Sequence, residues 1–170
     1  MPLPREILVT RLRNELAICQ RCLRHPIAAG EGAFDSFPVD IEISLVQIPG
    51  YEQMKGGGVR KRYHHRFTME IDEDYPFKKP QVVWRTPIFH PNIMMPEDGG
   101  FLCNKLLDDW SFNSTLLMFI KGIEYLLLNP NPGSPFGTET CTAAAQYFNT
   151  VKRVQLPMAI VPLPKVVRAR

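Results

Sequence analysis

The spacing of apolar residues changes twice along this chain, and that change limits the possible folds more than any other sequence feature. From about Pro4 to Leu23, apolar side chains recur at steps of three and four, as on one face of a helix. The next patterns are strand-like and occupy 39–45, 66–72 and 81–85, and helical spacing returns at 116–127 and about 138–151. This order predicts an α+β fold with an N-terminal helix, an antiparallel meander sheet of about four strands, a long loop and then two C-terminal helices.

Turn and cap residues indicate where these elements begin and end. Pro49-Gly50 and the glycines at 56–58 are predicted to break the chain into a hairpin-type connection. Ser114 is the predicted N-terminal cap of the helix at 116–127. Asn129-Pro130 is expected to end that helix, because the residue before a proline disfavours helical geometry.

Length and composition favour one globular domain. The chain has 170 residues, and we predict a domain at 1–153 and a short proline-containing basic tail at 154–170. A net charge of +3 does not require nucleic acid, so no nucleic-acid partner is expected. No apolar run is long enough to span a bilayer, so no membrane association is expected either.

The four cysteines do not have the spacing of a disulfide framework, which favours a reducing, intracellular and cytoplasmic location. A possible part of a metal site is formed by Cys19, Cys22 and His25, since ligands one helical turn apart can face one ion. This motif, however, lies on the apolar stripe of the first helix. We therefore predict that these residues pack and that the chain holds no metal. Cys141 lies beside small alanines and is also predicted to pack.

Cys103 lies in the long loop from Thr86 to Asn113, where regular periodicity stops. Long loops within compact domains are usually functional. Gly99 and Gly100 allow a tight turn that leaves a nearby sulfur accessible, and an accessible thiolate is a candidate nucleophile. On these residues alone, a packing role is the more frequent one for a single cysteine.

The wider pattern around Cys103 makes a nucleophile the better interpretation. From about residue 5 to residue 150, the chain resembles ubiquitin-conjugating enzymes in the order of its elements and in its motifs. The motifs are Tyr75-Pro76-Phe77-Lys78-Lys79-Pro80, His90-Pro91-Asn92, Cys103, Trp110-Ser111 and Pro130-Asn131-Pro132. The long loop is then the active-site loop.

This resemblance implies roles for individual residues. Cys103 matches the cysteine that carries the modifier's terminal carboxyl group as a thioester. Asn92 matches the asparagine that supports the active-site loop, with a hydrogen bond to the oxyanion as a further possible role. His90 matches a mainly structural histidine, and Ser134 lies on the loop that gates the site. No cofactor is expected, since any ATP is used by the activating enzyme.

The resemblance also implies partners. Phe77, Trp110, Ser111 and Arg5 match positions that bind a ligase. The expected partners are ubiquitin or a ubiquitin-like protein, an activating enzyme, a RING-type ligase and substrate proteins. The predicted reaction transfers the modifier from the activating enzyme to Cys103 and then to a substrate lysine.

Several positions depart from the family pattern. Asn92 and Cys103 are eleven positions apart, which is longer than usual, and the extra residues lie between Met94 and Asp98. Asn104 and Lys105 replace the usual residues after the cysteine, and Phe112 stands where a proline usually follows the Trp-Ser pair. These differences keep an alternative open, a catalytically silent scaffold that binds ubiquitin or another partner.

Overall fold

The predicted α+β order is confirmed by the structure, a computed structural model that describes residues 2–103 and 108–151. The predicted tail at 154–170, Asn104 and Lys105 lie outside these residues. The elements are α1 (Arg5–Cys22), β1 (Ile27–Ala29), β2 (Val39–Gln53), β3 (Val59–Ile71), β4 (Gln81–Trp84), α2 (Leu116–Leu128) and α3 (Glu139–Thr150). Within the described residues, none of the helices is long and apolar enough to cross a membrane.

The four strands form one antiparallel sheet in the order β1-β2-β3-β4. Alternate side chains of β2 and β3 point to one face, and that face is buried under α1 and α2. The register sets Ile43 opposite Phe67, and Phe67 opposite Trp84, whose ring stacks on that of Phe67. The core therefore lies between a single sheet and the helices that cover one face of it.

The predicted break at Pro49-Gly50 is wrong. β2 continues through these residues to Gln53, with a bulge between Val46 and Gly50. Gly50 is needed for packing, since a Cβ there would lie 2.6 Å from Cε1 of the buried His65. The turn comes later, where the N–H of Met54 donates to the carbonyl of Gly58 at 2.7 Å.

The predicted cap of α2 is also wrong by one residue. Thr115 caps the helix, since its side chain accepts a hydrogen bond from the N–H of Met118. Ser114 instead closes the preceding turn, where its hydroxyl accepts from the N–H of Ser111 at 3.0 Å. Ser114 and Thr115 are both residues that commonly cap helices, so the sequence does not distinguish them. The hydroxyl of Ser114 is already used by the preceding turn.

Candidate active site

Cys103 lies at one end of a short antiparallel ribbon formed by residues 92–94 and 101–103. The N–H of Cys103 donates to the carbonyl of Asn92, and the N–H of Met94 donates to the carbonyl of Phe101, both at 2.9 Å. Ile93 and Leu102 form a bridge between these bonds, and both side chains are buried. Successive side chains of a strand point to opposite faces, and Leu102 points into the core. The side chain of Cys103 therefore faces away from the core, and it is half-buried.

The extra residues before Cys103 form the tip of this ribbon. Pro96–Asp98 make one turn of 3₁₀ helix, and Gly99 and Gly100 follow with φ of 111° and 68°. Gly100 also touches β4, where its carbonyl accepts from the N–H of Trp84 at 2.8 Å. A Cβ at Gly100 would lie 2.6 Å from the carbonyl oxygen of Trp84. The expectation that these glycines permit a tight turn is confirmed.

His90 is buried and braces the start of the ribbon. Its Nδ1 accepts from the N–H of Asn92 at 3.0 Å, and its Nε2 lies 2.9 Å from the carbonyl of Leu126 near the end of α2. Burial lowers the pKa of His90 to about 4, so the ring is neutral at physiological pH. Its Nε2 therefore donates to Leu126, and both ring nitrogens have structural partners.

Asn92 joins the ribbon to the loop at 131–134. Its amide Nδ2 donates to the carbonyls of Asn131 and Ser134, each at 3.1 Å, and its Oδ1 accepts from the N–H of Asn131 at 2.7 Å. The side chain is only 2% exposed. Because Asn92 also pairs with the backbone of Cys103, the structure brings Cys103, Asn92 and half-buried Ser134 into one site.

An aromatic surface forms from the predicted ligase-binding residues. The rings of Phe77 and Phe112, 54% and 46% exposed, lie 5.3 Å apart. Trp110 is half-buried behind them, and its Nε1–H donates to the carbonyl of Pro76 at 2.7 Å. Ser111 is exposed in the turn after Trp110. Phe112 therefore adds to this surface at the position where the family usually has a proline.

Arg11, rather than Arg5, is the arginine of α1 that contacts this surface. The guanidinium of Arg11 lies 5.0 Å from the centroid of the Phe112 ring and donates to the Phe112 carbonyl at 2.9 Å. Arg5 instead donates to the carbonyls of Phe34 and Asp35. Both arginines occupy polar positions of α1, so the sequence pattern alone does not show which of them contacts the aromatic surface.

Sequence reasoning missed Glu15, a buried carboxylate behind the same surface. It accepts hydrogen bonds from Nε of Arg11 at 2.7 Å, the hydroxyl of Tyr75 at 2.6 Å and the N–H of Leu116 at 2.8 Å. Burial and the adjacent Glu15 raise the pKa of Tyr75. The arginine four residues before Glu15 was the available signal, but such pairs are common on exposed helices.

The possible metal ligands near the end of α1 face different surroundings. Cys19 is buried, and burial raises the pKa of its thiol to about 12. Cys22 is exposed, so the prediction that it packs is wrong, because it lies off the buried face of α1. The ring of His25 lies between Glu124, at 2.6 Å, and the N–H of Val46, at 3.1 Å. Among residues 2–103 and 108–151, no group of three or more His, Cys, Asp or Glu side chains is placed to hold a metal.

The match to known proteins covers most of the sheet and the ribbon. A family model described as "Ubiquitin-conjugating enzyme" matches residues 47–155. Ubiquitin conjugating enzyme E2 B of Dictyostelium discoideum is 38% identical over 86 residues, 49% of this chain and 54% of that protein. A Nedd8-conjugating enzyme of Drosophila melanogaster is 32% identical over 91 residues, 51% of this chain and 49% of that protein. The match thus spans about half the length of these two relatives.

Solved structures support the same fold. The E2 domain of a Toxoplasma gondii ubiquitin conjugating enzyme superposes with a TM-score of 0.61 at 24% identity, covering 84% of this chain and 86% of that chain. Saccharomyces cerevisiae Ubc12 superposes with a TM-score of 0.57 at 24% identity, covering 86% and 79%.

Proposed function

Because this chain belongs to the ubiquitin-conjugating enzyme family, we propose that Cys103 carries ubiquitin or a ubiquitin-like modifier as a thioester. The observation that carries the proposal is the position of Cys103, half-buried and on the outward face of a ribbon that Asn92 fastens to a second loop. A nucleophile needs access and a fixed backbone, and this position supplies both. The reaction class is acyl transfer.

In the first step, the Cys103 thiolate attacks the carbonyl carbon of the modifier's thioester on the activating enzyme. A new C–S bond forms to Cys103, and the activating enzyme's cysteine leaves as a thiolate. In the second step, a substrate lysine amine attacks the same carbon. The Cys103 thiolate leaves, and the nitrogen loses its extra proton to solvent. A thioester is already activated, so both steps depend mainly on positioning and on stabilisation of the oxyanion.

Asn92 acts first as the clamp of the 131–134 loop. Both of its amide hydrogens are already used by the carbonyls of Asn131 and Ser134. It can donate to an oxyanion only by releasing one of these bonds during the reaction. His90 acts through Asn92, because it fixes the Asn92 backbone and is neutral at physiological pH.

We propose a modifier, an activating enzyme, a RING-type ligase and substrate proteins as partners. The names of the relatives include both ubiquitin and Nedd8 conjugation, so either kind of modifier is a candidate. The ligase is expected to bind the exposed Phe77–Phe112 pair with Trp110 and Ser111 beside it. A thioester on Cys103 needs a reduced thiol, and a reducing compartment keeps thiols reduced, so we propose a cytoplasmic location.

A thioester assay tests this proposal. The protein is incubated with ATP and ubiquitin with its activating enzyme, and in parallel with NEDD8 and its activating enzyme. We expect an adduct with one of them on a gel run without thiol, and we expect thiol to remove it. Cys103→Ser should abolish the thiol-sensitive band, whereas Cys22→Ser, which also changes an exposed cysteine, should retain it. The absence of such a band with both modifiers would count against the enzyme.

The second candidate is a catalytically silent scaffold that binds ubiquitin or a partner. It is favoured by the commitment of both Asn92 amide hydrogens to the 131–134 loop. A scaffold would give no thiol-sensitive adduct with either modifier. It would still shift the NMR resonances of isotope-labelled ubiquitin on titration, which separates it from a protein with no role in this pathway.

A further inference from the structure

The outward face of the ribbon continues from Cys103 to a pair of apolar side chains. Met94 and Phe101 lie opposite each other one step further towards the tip, since the N–H of Met94 donates to the carbonyl of Phe101. Phe101 and Cys103 are two positions apart on one strand, with the buried Leu102 between them. Their side chains therefore share a face, and their Cα atoms are roughly 7 Å apart.

Phe101 is exposed and lies over Gly99. Phe101 is 57% exposed. This exposure is unfavourable, because burying an aromatic ring removes its apolar surface from water. Its ring packs over Gly99, where a Cβ would lie 2.8 Å from Cε2 of Phe101. The left-handed φ of Gly99, 111°, also favours glycine. The lengthened tip of the ribbon thus presents an exposed aromatic ring on the face that also carries the sulfur of Cys103.

The charges around Cys103 indicate what this ring contacts. The loop at 131–134 carries no carboxylate, so it offers no negative side chain to an approaching amine. Carboxylates occur instead at the tip of the ribbon, where Glu97 and Asp98 are exposed next to Gly99. These carboxylates lie on the side of Phe101 away from Cys103, so they do not hold the attacking amine. The ring itself is the surface near the sulfur that suits a lysine, whose aliphatic stem lies on apolar groups.

We propose that Phe101 determines acceptor specificity by supporting the stem of the substrate lysine as its amine attacks the thioester on Cys103. This inference rests on the proposed function. The amine forms a C–N bond to the modifier's carbonyl carbon, the C–S bond to Cys103 breaks, and the thiolate and a proton are released. The ring takes no part in bond exchange and acts by holding the lysine over the face of the ribbon.

Single-turnover discharge of the Cys103 thioester tests this role. The loaded protein is mixed with free lysine or with hydroxylamine, a nucleophile that lacks an aliphatic stem. In Phe101→Ala, we expect the second-order rate constant for lysine to fall roughly four-fold, because the apolar contact of about one methylene group is lost. Loading by the activating enzyme and discharge to hydroxylamine should stay within about two-fold of the unmodified protein. Phe101→Tyr should restore discharge to lysine.

Tyr63→Ala is the matched control, since Tyr63 is an exposed aromatic of β3, and it should leave both rates unchanged. Equal losses with lysine and hydroxylamine would overturn the proposal, because they would show that Phe101 only positions the ribbon. A loss of loading would also overturn it and would assign Phe101 to the modifier or the activating enzyme. Failure of the unmodified protein to load would instead reject the proposed function itself.

Discussion

At the scale of single residues, Asn92 is the side chain whose role the structure changes most. The resemblance implies loop support together with a possible bond to the oxyanion. The structure shows both amide hydrogens donated to the 131–134 loop and the side chain almost fully buried. Two local carbonyls already use the donors, so loop support is the role that the geometry describes.

The Asn92→Ala substitution tests how these two roles combine. We expect discharge to lysine to slow by on the order of 100-fold, because losing one oxyanion donor costs about that much. Loading should slow less, because the activating enzyme shares the positioning of the thioester in that step. The free energy of unfolding should also fall by about 2 kcal/mol, since the carbonyls of Asn131 and Ser134 lose their donor and the N–H of Asn131 loses its acceptor. Single-turnover loading and discharge, with urea unfolding, provide the measurements. Equal slowing of both steps would indicate loop support alone.

Two buried histidines predict a pH dependence of stability. Burial lowers the pKa of His65 and of His90 to about 4, and Nδ1 of His65 has no partner within the described residues. In an unfolded chain a histidine titrates near pH 6.5. The folded state therefore binds fewer protons between these values, so stability is greatest above pH 6.5 and falls as the pH decreases towards 4.

We expect the free energy of unfolding to be lower at about pH 5 than at pH 7.5 by about 2 kcal/mol for each of these histidines. Urea unfolding at the two pH values measures the difference. His64→Gln is the control, because His64 is exposed on β3 and its loss should leave the difference unchanged. Equal stability at both pH values would contradict the neutral, buried state of His65 and His90.

At the scale of secondary-structure elements, Glu15 connects parts of the chain that are far apart in sequence. Its carboxylate joins α1 to Tyr75 and to the first residue of α2, Leu116. A negative charge at a helix N-terminus is also favourable to the helix dipole. The same carboxylate holds Arg11, which contacts Phe112, so Glu15 helps to position the aromatic surface.

The Glu15→Gln substitution keeps the size of the side chain and removes its charge. We expect a loss of about 2–3 kcal/mol in the free energy of unfolding, because three donors lose a charged acceptor. A double-mutant cycle with Tyr75→Phe should give a coupling of about 1 kcal/mol, since the two groups share a hydrogen bond. Glu6→Gln, on an exposed position of the same helix, is the control and should have little effect. A coupling near zero would contradict the role of Glu15.

Elements with a regular apolar pattern were predicted well, and those without one were not. α1, α2 and α3 were predicted because each buries one face, which sets the spacing of its apolar residues. The first half of β3, from Val59 to His64, was missed because it extends past the core and is not buried on either face. The basic run at 60–62 lies here, and Arg60 and Arg62 pair with Glu52 across the hairpin. This exposed half of β3 therefore carries an ion-paired cluster.

At the scale of the whole molecule, the aromatic surface and the ribbon are formed by different segments of the chain, but both are supported by α2. Arg11, Phe77 and Phe112 come from three distant segments. α2 is common to both sites, because Glu15 binds its first residue and His90 binds the carbonyl of Leu126 near its end. A substitution that displaces α2 is thus expected to affect both sites.

The sequence by itself determined the order of helix, sheet and helices, and it indicated Cys103 and the His90-Pro91-Asn92 motif as the candidate site. These conclusions follow from periodicity and from short motifs, which are local properties of a chain. Only the tertiary structure decided that Asn92 holds the 131–134 loop and that Glu15 is a buried acceptor. The physical reason is distance along the chain: Asn92 and Ser134 are 42 positions apart, and Glu15 and Leu116 are 101 apart. Partners so remote leave no periodic signal in the sequence.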